Sequence, residues 1–81
     1  MTAAPLWYRN TGQPPIFYPL EPDEPCPPHQ IHMDEAPSAR VMVRLRNGRQ
    51  PAASWPVIGR PLPTRWTLTR DPFDITHWRR P

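Results

Sequence analysis

Residues 40–80 read RVMVRLRNGRQPAASWPVIGRPLPTRWTLTRDPFDITHWRR, and they hold the regular hydrophobic period from which a fold can be argued. Over residues 40–46, Val41, Val43 and Leu45 alternate with Met42, Arg44 and Arg46, the period-two pattern of a strand with one buried face. Asn47-Gly48 follows directly. That dipeptide accepts the positive φ angles of a tight hairpin turn, so the strand is expected to turn back. A second alternation, residues 64–69, places Trp66 and Leu68 opposite Arg65, Thr67 and Thr69. A third, residues 73–78, places Phe73, Ile75 and His77 opposite Asp74, Thr76 and Trp78, with Asp71-Pro72 as the turn between them. The expected fold class is mainly β: a small antiparallel sheet of three to five strands, an extended proline-rich N-terminal arm, and little or no helix.

Composition supports that class. The chain has 81 residues, enough for one small domain that buries a modest share of its surface. Proline accounts for 15 of them, against a usual share of roughly 5%. Helix interiors exclude proline, which lacks the N–H and clashes one turn back. The longest proline-free run, residues 38–50, is already taken by the first strand and its turn, leaving room for one short turn near residues 32–36. No apolar run approaches the ~20 residues needed to cross a bilayer, and no basic-then-apolar leader is present. A soluble protein of the cytoplasm is expected, without a membrane partner. The single Cys26 agrees with a reducing compartment, though one cysteine says little.

Charge divides the chain in two. Residues 1–39 carry Glu21, Asp23, Glu24, Asp34 and Glu35 against Arg9, a net −4; residues 40–81 carry nine arginines against Asp71 and Asp74, a net +7. All ten basic residues are arginine, whose planar guanidinium suits carboxylates, phosphates and aromatic faces. A GC-rich coding sequence also raises arginine and proline together, so the absence of lysine is not by itself a sign of phosphate binding. The division suggests an acidic arm over residues 1–39, packed on a basic antiparallel β domain over residues 40–81.

Within the arm, Leu6-Trp7-Tyr8 and Ile16-Phe17-Tyr18 are two aromatic clusters flanking a turn-like Asn10-Thr11-Gly12-Gln13-Pro14-Pro15, and each can add one strand. A sheet of about forty residues has too little core to stand alone. Trp7, Tyr8, Phe17 and Tyr18 are therefore expected to cover its apolar face; a free arm that docks on a partner or on a second copy of the chain is the competing reading. The following EPDEPCPP, residues 21–28, is an extended spacer. Cys26, His29 and His32 form a C-x2-H-x2-H group of permissible zinc ligands, but the second ligand pair of a structural site is missing. A solvated linker without metal or other cofactor is the expectation.

After the turn, Pro51 limits residues 49–55 to a short edge strand, and residues 56–63 form an irregular connection whose Pro-Leu-Pro ending means little in so proline-rich a chain. Trp55, Trp66 and Trp78 lie among arginines, as on a nucleic-acid surface, where guanidinium meets phosphate and flat rings meet bases. Tryptophans at alternating strand positions are more often core, and the arginines opposite them a solvated face. Arg44, Arg46 and Arg65 are expected to share one face, and the candidate partner-binding set is Arg44, Arg46, Arg49, Arg65, Arg70, Trp55 and Trp78. Catalysis has little to stand on. There is no glycine elbow around a serine, no phosphate-binding glycine loop and no HExxH motif, and Asp74 and His77, an odd number apart on a strand, point to opposite faces. The chain is not expected to be an enzyme.

The VRLRNGR opening, the Ala-Ser-Trp-Pro step and the closing RWTLTRDPFDITHWRR, together spanning residues 41–80, resemble small bacteriophage and prophage accessory proteins with a carboxy-terminal Asp-Ile-Thr-His-Trp-like strand. The resemblance covers about half the chain. It implies a phage accessory gene expressed in the cytoplasm of a bacterial host, acting by binding and inhibiting or redirecting a host protein, such as a defence or nucleic-acid-handling complex. Direct nucleic-acid binding through an Arg/Trp face, and a virion or assembly clamp, are the alternatives.

Overall fold

Asn47-Gly48 reverses the chain as its residue types require. Gly48 has φ 88°, its N–H donates to Leu45 O at 2.9 Å, and the Asn47 side chain accepts from Arg49 N at 2.9 Å. In the computed structural model, which describes residues 6–58 and 66–81, the strand before this turn is the longest among the described residues. In chain order the strands are β1 (Tyr8–Arg9), β2 (Ile16–Phe17), β3 (Ile31–His32), β4 (Arg40–Leu45), β5 (Trp55–Pro56) and β6 (Ile75–Arg79). The architecture is mainly β, with no helix among the described residues. An antiparallel four-stranded sheet has the order β1-β6-β4-β5, and β2 and β3 form a separate two-stranded parallel sheet.

β4 has the alternation its sequence shows: Val41, Val43 and Leu45 are buried while Arg40, Met42 and Arg44 point the other way. β5 is the expected edge strand, reduced to Trp55–Pro56, as a proline-bounded segment must be. The aromatic clusters of the first half do add strands. Tyr8–Arg9 joins the main sheet beside β6, and Ile16–Phe17 pairs in parallel with Ile31–His32, the proline-rich segment between them serving as the crossover that parallel pairing needs. The short turn expected near residues 32–36 is present, with Ala36 N–H donating to His32 O at 3.0 Å.

Two expected strands differ from the structure. Residues 66–69 are not a strand: Trp66 is buried, but Leu68 is 42% exposed. Here main-chain groups are satisfied by side chains instead of a neighbouring strand, Trp66 O by Asn10 Nδ2 at 2.8 Å and Thr69 N–H by Asp74 Oδ2 at 2.8 Å. Thr64 and Arg65, and the connection over residues 59–63, lie outside the described residues. The last strand starts at Ile75 rather than at Phe73, which sits exposed in the turn after Asp71. Its faces are also not those of a simple alternation. β6 pairs Met42 with Arg79, Val43 with Trp78 and Arg44 with His77, then shifts register so that Leu45 pairs with Ile75. Thr76 is the extra residue of a β-bulge, its hydroxyl donating to Arg44 O at 3.2 Å. Ile75 and Trp78 therefore both face inward, and His77 faces out.

One core collects residues from both halves of the chain: Ile31, Ala36, Val41, Val43, Leu45, Val57, Trp66, Ile75 and Trp78, flanked by Tyr8, Ile16, Ala39 and Trp55. Of the arm aromatics, Tyr8 packs against Trp78 with ring centroids 5.0 Å apart and the rings tilted by 45°, Phe17 lies against His32, and Tyr18 is largely exposed. Trp66 anchors its irregular segment through an indole N–H donated to Val57 O at 3.0 Å. Asn10, buried, donates to both Trp66 O and Ile75 O while its Oδ1 accepts from Gly12 N–H, so one amide joins the first turn to the carboxy-terminal third.

Ile75→Ala, inside this core, is expected to lower the unfolding free energy by about 2–5 kcal/mol. Leu68→Ala, with an exposed side chain outside any strand, should cost about 0.5 kcal/mol or less. Urea denaturation followed by tryptophan fluorescence separates the two cases.

Candidate functional site

Because the bulge turns Trp78 inward, the opposite face of the main sheet is set by the register alone. Arg9 on β1 is opposite His77 on β6, which is opposite Arg44 on β4, so the three form one transverse row. Extending the β1 register by one residue places Trp7 beside Arg79, which is opposite Met42 in the next row. Arg40, at the start of β4, has the parity of Met42 and Arg44 and reaches the β5 edge, donating to Ser54 Oγ at 2.9 Å and Ser54 O at 2.6 Å. This outer face thus presents Arg9, Arg40, Arg44 and Arg79, with no acidic residue on any of its strands.

Trp7 lies against two of these arginines. The Arg44 guanidinium carbon is 4.5 Å from the Trp7 ring centroid and that of Arg79 is 5.2 Å from it. Both distances are within reach of a cation–π attraction. The Nε atoms of Arg44 and Arg79 are buried without a hydrogen-bond partner, and the Trp7 indole lies beside both guanidinium groups. Arg44 donates to no acceptor among the described residues, whereas Arg79 spends one Nη on Arg80 O at 3.1 Å. The ring lies against two cations, neither of which is in an ion pair among the described residues. His77 is half-buried; burial first, then the charges of Arg44 and Arg9, lower its pKa from the ordinary 6.5, so it is neutral at pH 7.

The other residues singled out from the sequence are placed differently. Trp78 is 1% exposed and belongs to the core, not to a binding surface, because the bulge reverses its face. Trp55 is half-buried against that core. Arg49 and Arg70 are exposed, Arg70 with φ 65°, and Arg65 lies outside the described residues. Arg46 is the one arginine in an ion pair among the described residues, its Nη2 3.1 Å from Asp74 Oδ2. Asp74 is a buried hub: it accepts from Thr69 N–H at 2.8 Å, Thr69 Oγ1 at 2.9 Å and Asp71 N–H at 3.2 Å. The left-handed Arg70 between Thr69 and Asp71 lets both flanking amides converge on the one carboxylate. Burial alone would raise the Asp74 pKa; hydrogen bonds from Thr69, Arg46 and Asp71 outweigh it and lower the group from 3.8 to about 2.

Cys26, His29 and His32 do not converge. Cys26 Sγ lies 3.4 Å from both Pro27 O and Gln30 O, His29 is exposed, and His32 Nδ1 accepts from Asp34 N–H. No group of three or more metal-ligating side chains is assembled among the described residues. A cleft of about 290 Å³, at the low end of small-ligand pocket sizes, opens beside Arg9 and is lined in part by Tyr8, Gln13, Ile16, His29 and Gln30. No helix among the described residues is long and apolar enough to cross a membrane.

Sequence reading had Arg44 but missed Arg9, Arg40, Arg79 and Trp7. The first is isolated within an acidic segment, and the pairing of Trp7 with the last strand is a contact between opposite ends of the chain. Comparison with protein-family models, curated proteins and solved structures finds no match.

The Asp74 hub should show itself in acid. A carboxyl held at about 2 when folded and 3.8 when not contributes stability that is fully present above the higher value and is lost as pH falls through the lower. The gap in thermal midpoint between the natural protein and Asp74→Asn is expected to narrow from about pH 5 to about pH 2. Calorimetry across that range checks it, and a gap that widens in acid contradicts the assignment.

Proposed function

We propose that the chain is a small non-enzymatic binding protein whose basic sheet face engages single-stranded nucleic acid, in the phage-type setting that its sequence resemblance implies. The observation that carries the reading is the outer face itself, which presents Arg9, Arg40, Arg44 and Arg79 with no carboxylate on its strands, Arg44 and Arg79 lying against Trp7. An acid-free group of four guanidinium charges gathers counterions, and a polyanion that displaces them gains their release. A duplex offers phosphates but keeps its bases stacked, whereas a single strand can also lay bases on flat side chains and guanidinium planes. A sheet presenting arginines around an indole suits the second.

A second reading, binding and redirection of a host protein, is favoured by a different surface. Tyr18 and Met33, which directly follow the paired strands β2 and β3, are exposed, and Leu20 is 93% exposed. Exposed apolar side chains gathered at one end of a sheet mark a contact surface, whereas singly scattered ones do not.

Fluorescence anisotropy with a labelled single-stranded oligonucleotide tests the first reading. Four phosphate contacts imply a log–log salt slope of about −3, and Arg44→Ala should make it shallower by about 0.7 while weakening binding. Polyglutamate bound as tightly as the oligonucleotide, or no salt-dependent binding at all, would overturn it. A nuclease-resistant protein captured from bacterial lysate, and lost on Leu20→Ser, supports the second reading instead.

A further inference from the structure

The transverse row of the outer face contains a proton site as well as two fixed charges. Arg9, His77 and Arg44 are register partners on three adjacent strands, and two inter-strand steps separate the arginines' backbones by about 10 Å. The imidazole lies between them. Its Nδ1 is 3.0 Å from Thr76 Oγ1, and that hydroxyl is 3.2 Å from Arg44 O, a group that can only accept. A hydroxyl has one proton. With it directed to the carbonyl, Oγ1 offers the ring a lone pair, so Nδ1 carries the imidazole hydrogen and Nε2 is the bare nitrogen.

The groups around this ring are Arg9 from β1, Arg44 from β4 and Arg79 two residues further along β6. All are positive. The nearest carboxylate in sequence, Asp74, is buried and engaged by Arg46, Thr69 and Asp71. Among the described residues no carboxylate pairs with His77, and burial and both arginines favour the neutral form of the free ring. A bound anion reverses that balance: placed between Arg9 and Arg44 it would lie against Nε2, accept a hydrogen bond from a protonated ring, and bring the missing negative charge.

We propose that Arg9, His77 and Arg44 form a phosphate site in which docking of one phosphodiester group is accompanied by uptake of one proton from solvent at His77 Nε2. No covalent bond forms or breaks; the proton adds to the Nε2 lone pair, and the resulting N–H donates to a phosphate oxygen. The inference rests on the nucleic-acid reading above and adds the contact that makes binding pH-dependent.

The test uses the full chain and a single-stranded oligonucleotide at fixed salt. Affinity is expected to rise as pH falls from about 8 to about 6, by up to tenfold per unit, and to level off below the pKa of the free ring. Calorimetric titrations in buffers of different ionisation enthalpy should show net proton uptake near pH 6.5, and NMR should show the His77 ring pKa rising when the oligonucleotide is added. His77→Gln should lose the rise between about pH 8 and about pH 6, with an unchanged thermal midpoint; His77→Asn serves if that variant does not fold. A flat profile for the natural protein, or a rise that survives in His77→Gln, overturns the proton site and leaves the nucleic-acid reading standing. Absence of oligonucleotide binding at every pH overturns that reading itself, and equal proton uptake on binding polyglutamate overturns the phosphate assignment.

Discussion

The antiparallel pairing of β4 with β6, and the one-residue bulge at Thr76 within it, is the constraint on which the remainder of the structure depends. A shift of one residue exchanges the two faces of a strand. Without the bulge, Ile75 and Trp78 would face opposite ways, and one of the largest apolar groups in the protein would be left in water. With it, Ile75 pairs with Leu45 and Trp78 with Val43, all four buried, while His77 and Arg79 face out beside Arg44 and Met42. Core and basic face are thus two results of one irregularity.

Around that pair, a chain with 15 prolines has few backbone donors to give to regular ladders. Polar side chains take over much of the task. Asn10 meets the carbonyls of Trp66 and Ile75, Asp74 collects the amides of Thr69 and Asp71, and the Trp66 indole reaches Val57 O. Each is a buried or partly buried interaction whose loss would leave a backbone group unsatisfied, which costs about 1–3 kcal/mol. Edge strands of two residues suffice because these side chains hold the segments between them.

The same economy separates the arginines by role. Arg46 is committed to the buried carboxylate of Asp74, and Arg40 is tied to Ser54 just before the edge strand. Arg44 and Arg79 instead rest on Trp7, an apolar support that orients their charges without neutralising them. An ion pair would have spent the charge; an indole preserves it. This difference, more than the number of arginines, makes one face of the sheet a candidate for anion recognition.

Local pattern by itself determined the β class, the inward set Val41, Val43 and Leu45, the turn at Asn47-Gly48, the short edge strand near Trp55 and the strand-forming character of the two early aromatic clusters. Each depends on residue types within a few positions of one another, where alternation, proline and glycine act directly on the backbone. Tertiary structure alone decided that residues 66–69 are not a strand, that Trp78 is core, and that Trp7 and Arg9 lie beside the last strand. Those outcomes turn on a bulge, which no period-two count can anticipate, and on side-chain hydrogen bonds from Asn10 and Asp74 to partners that become near only after the chain has closed. The basic face was only half legible for the same reason: its arginines come from three strands that are distant in sequence, and only pairing brings them into one row.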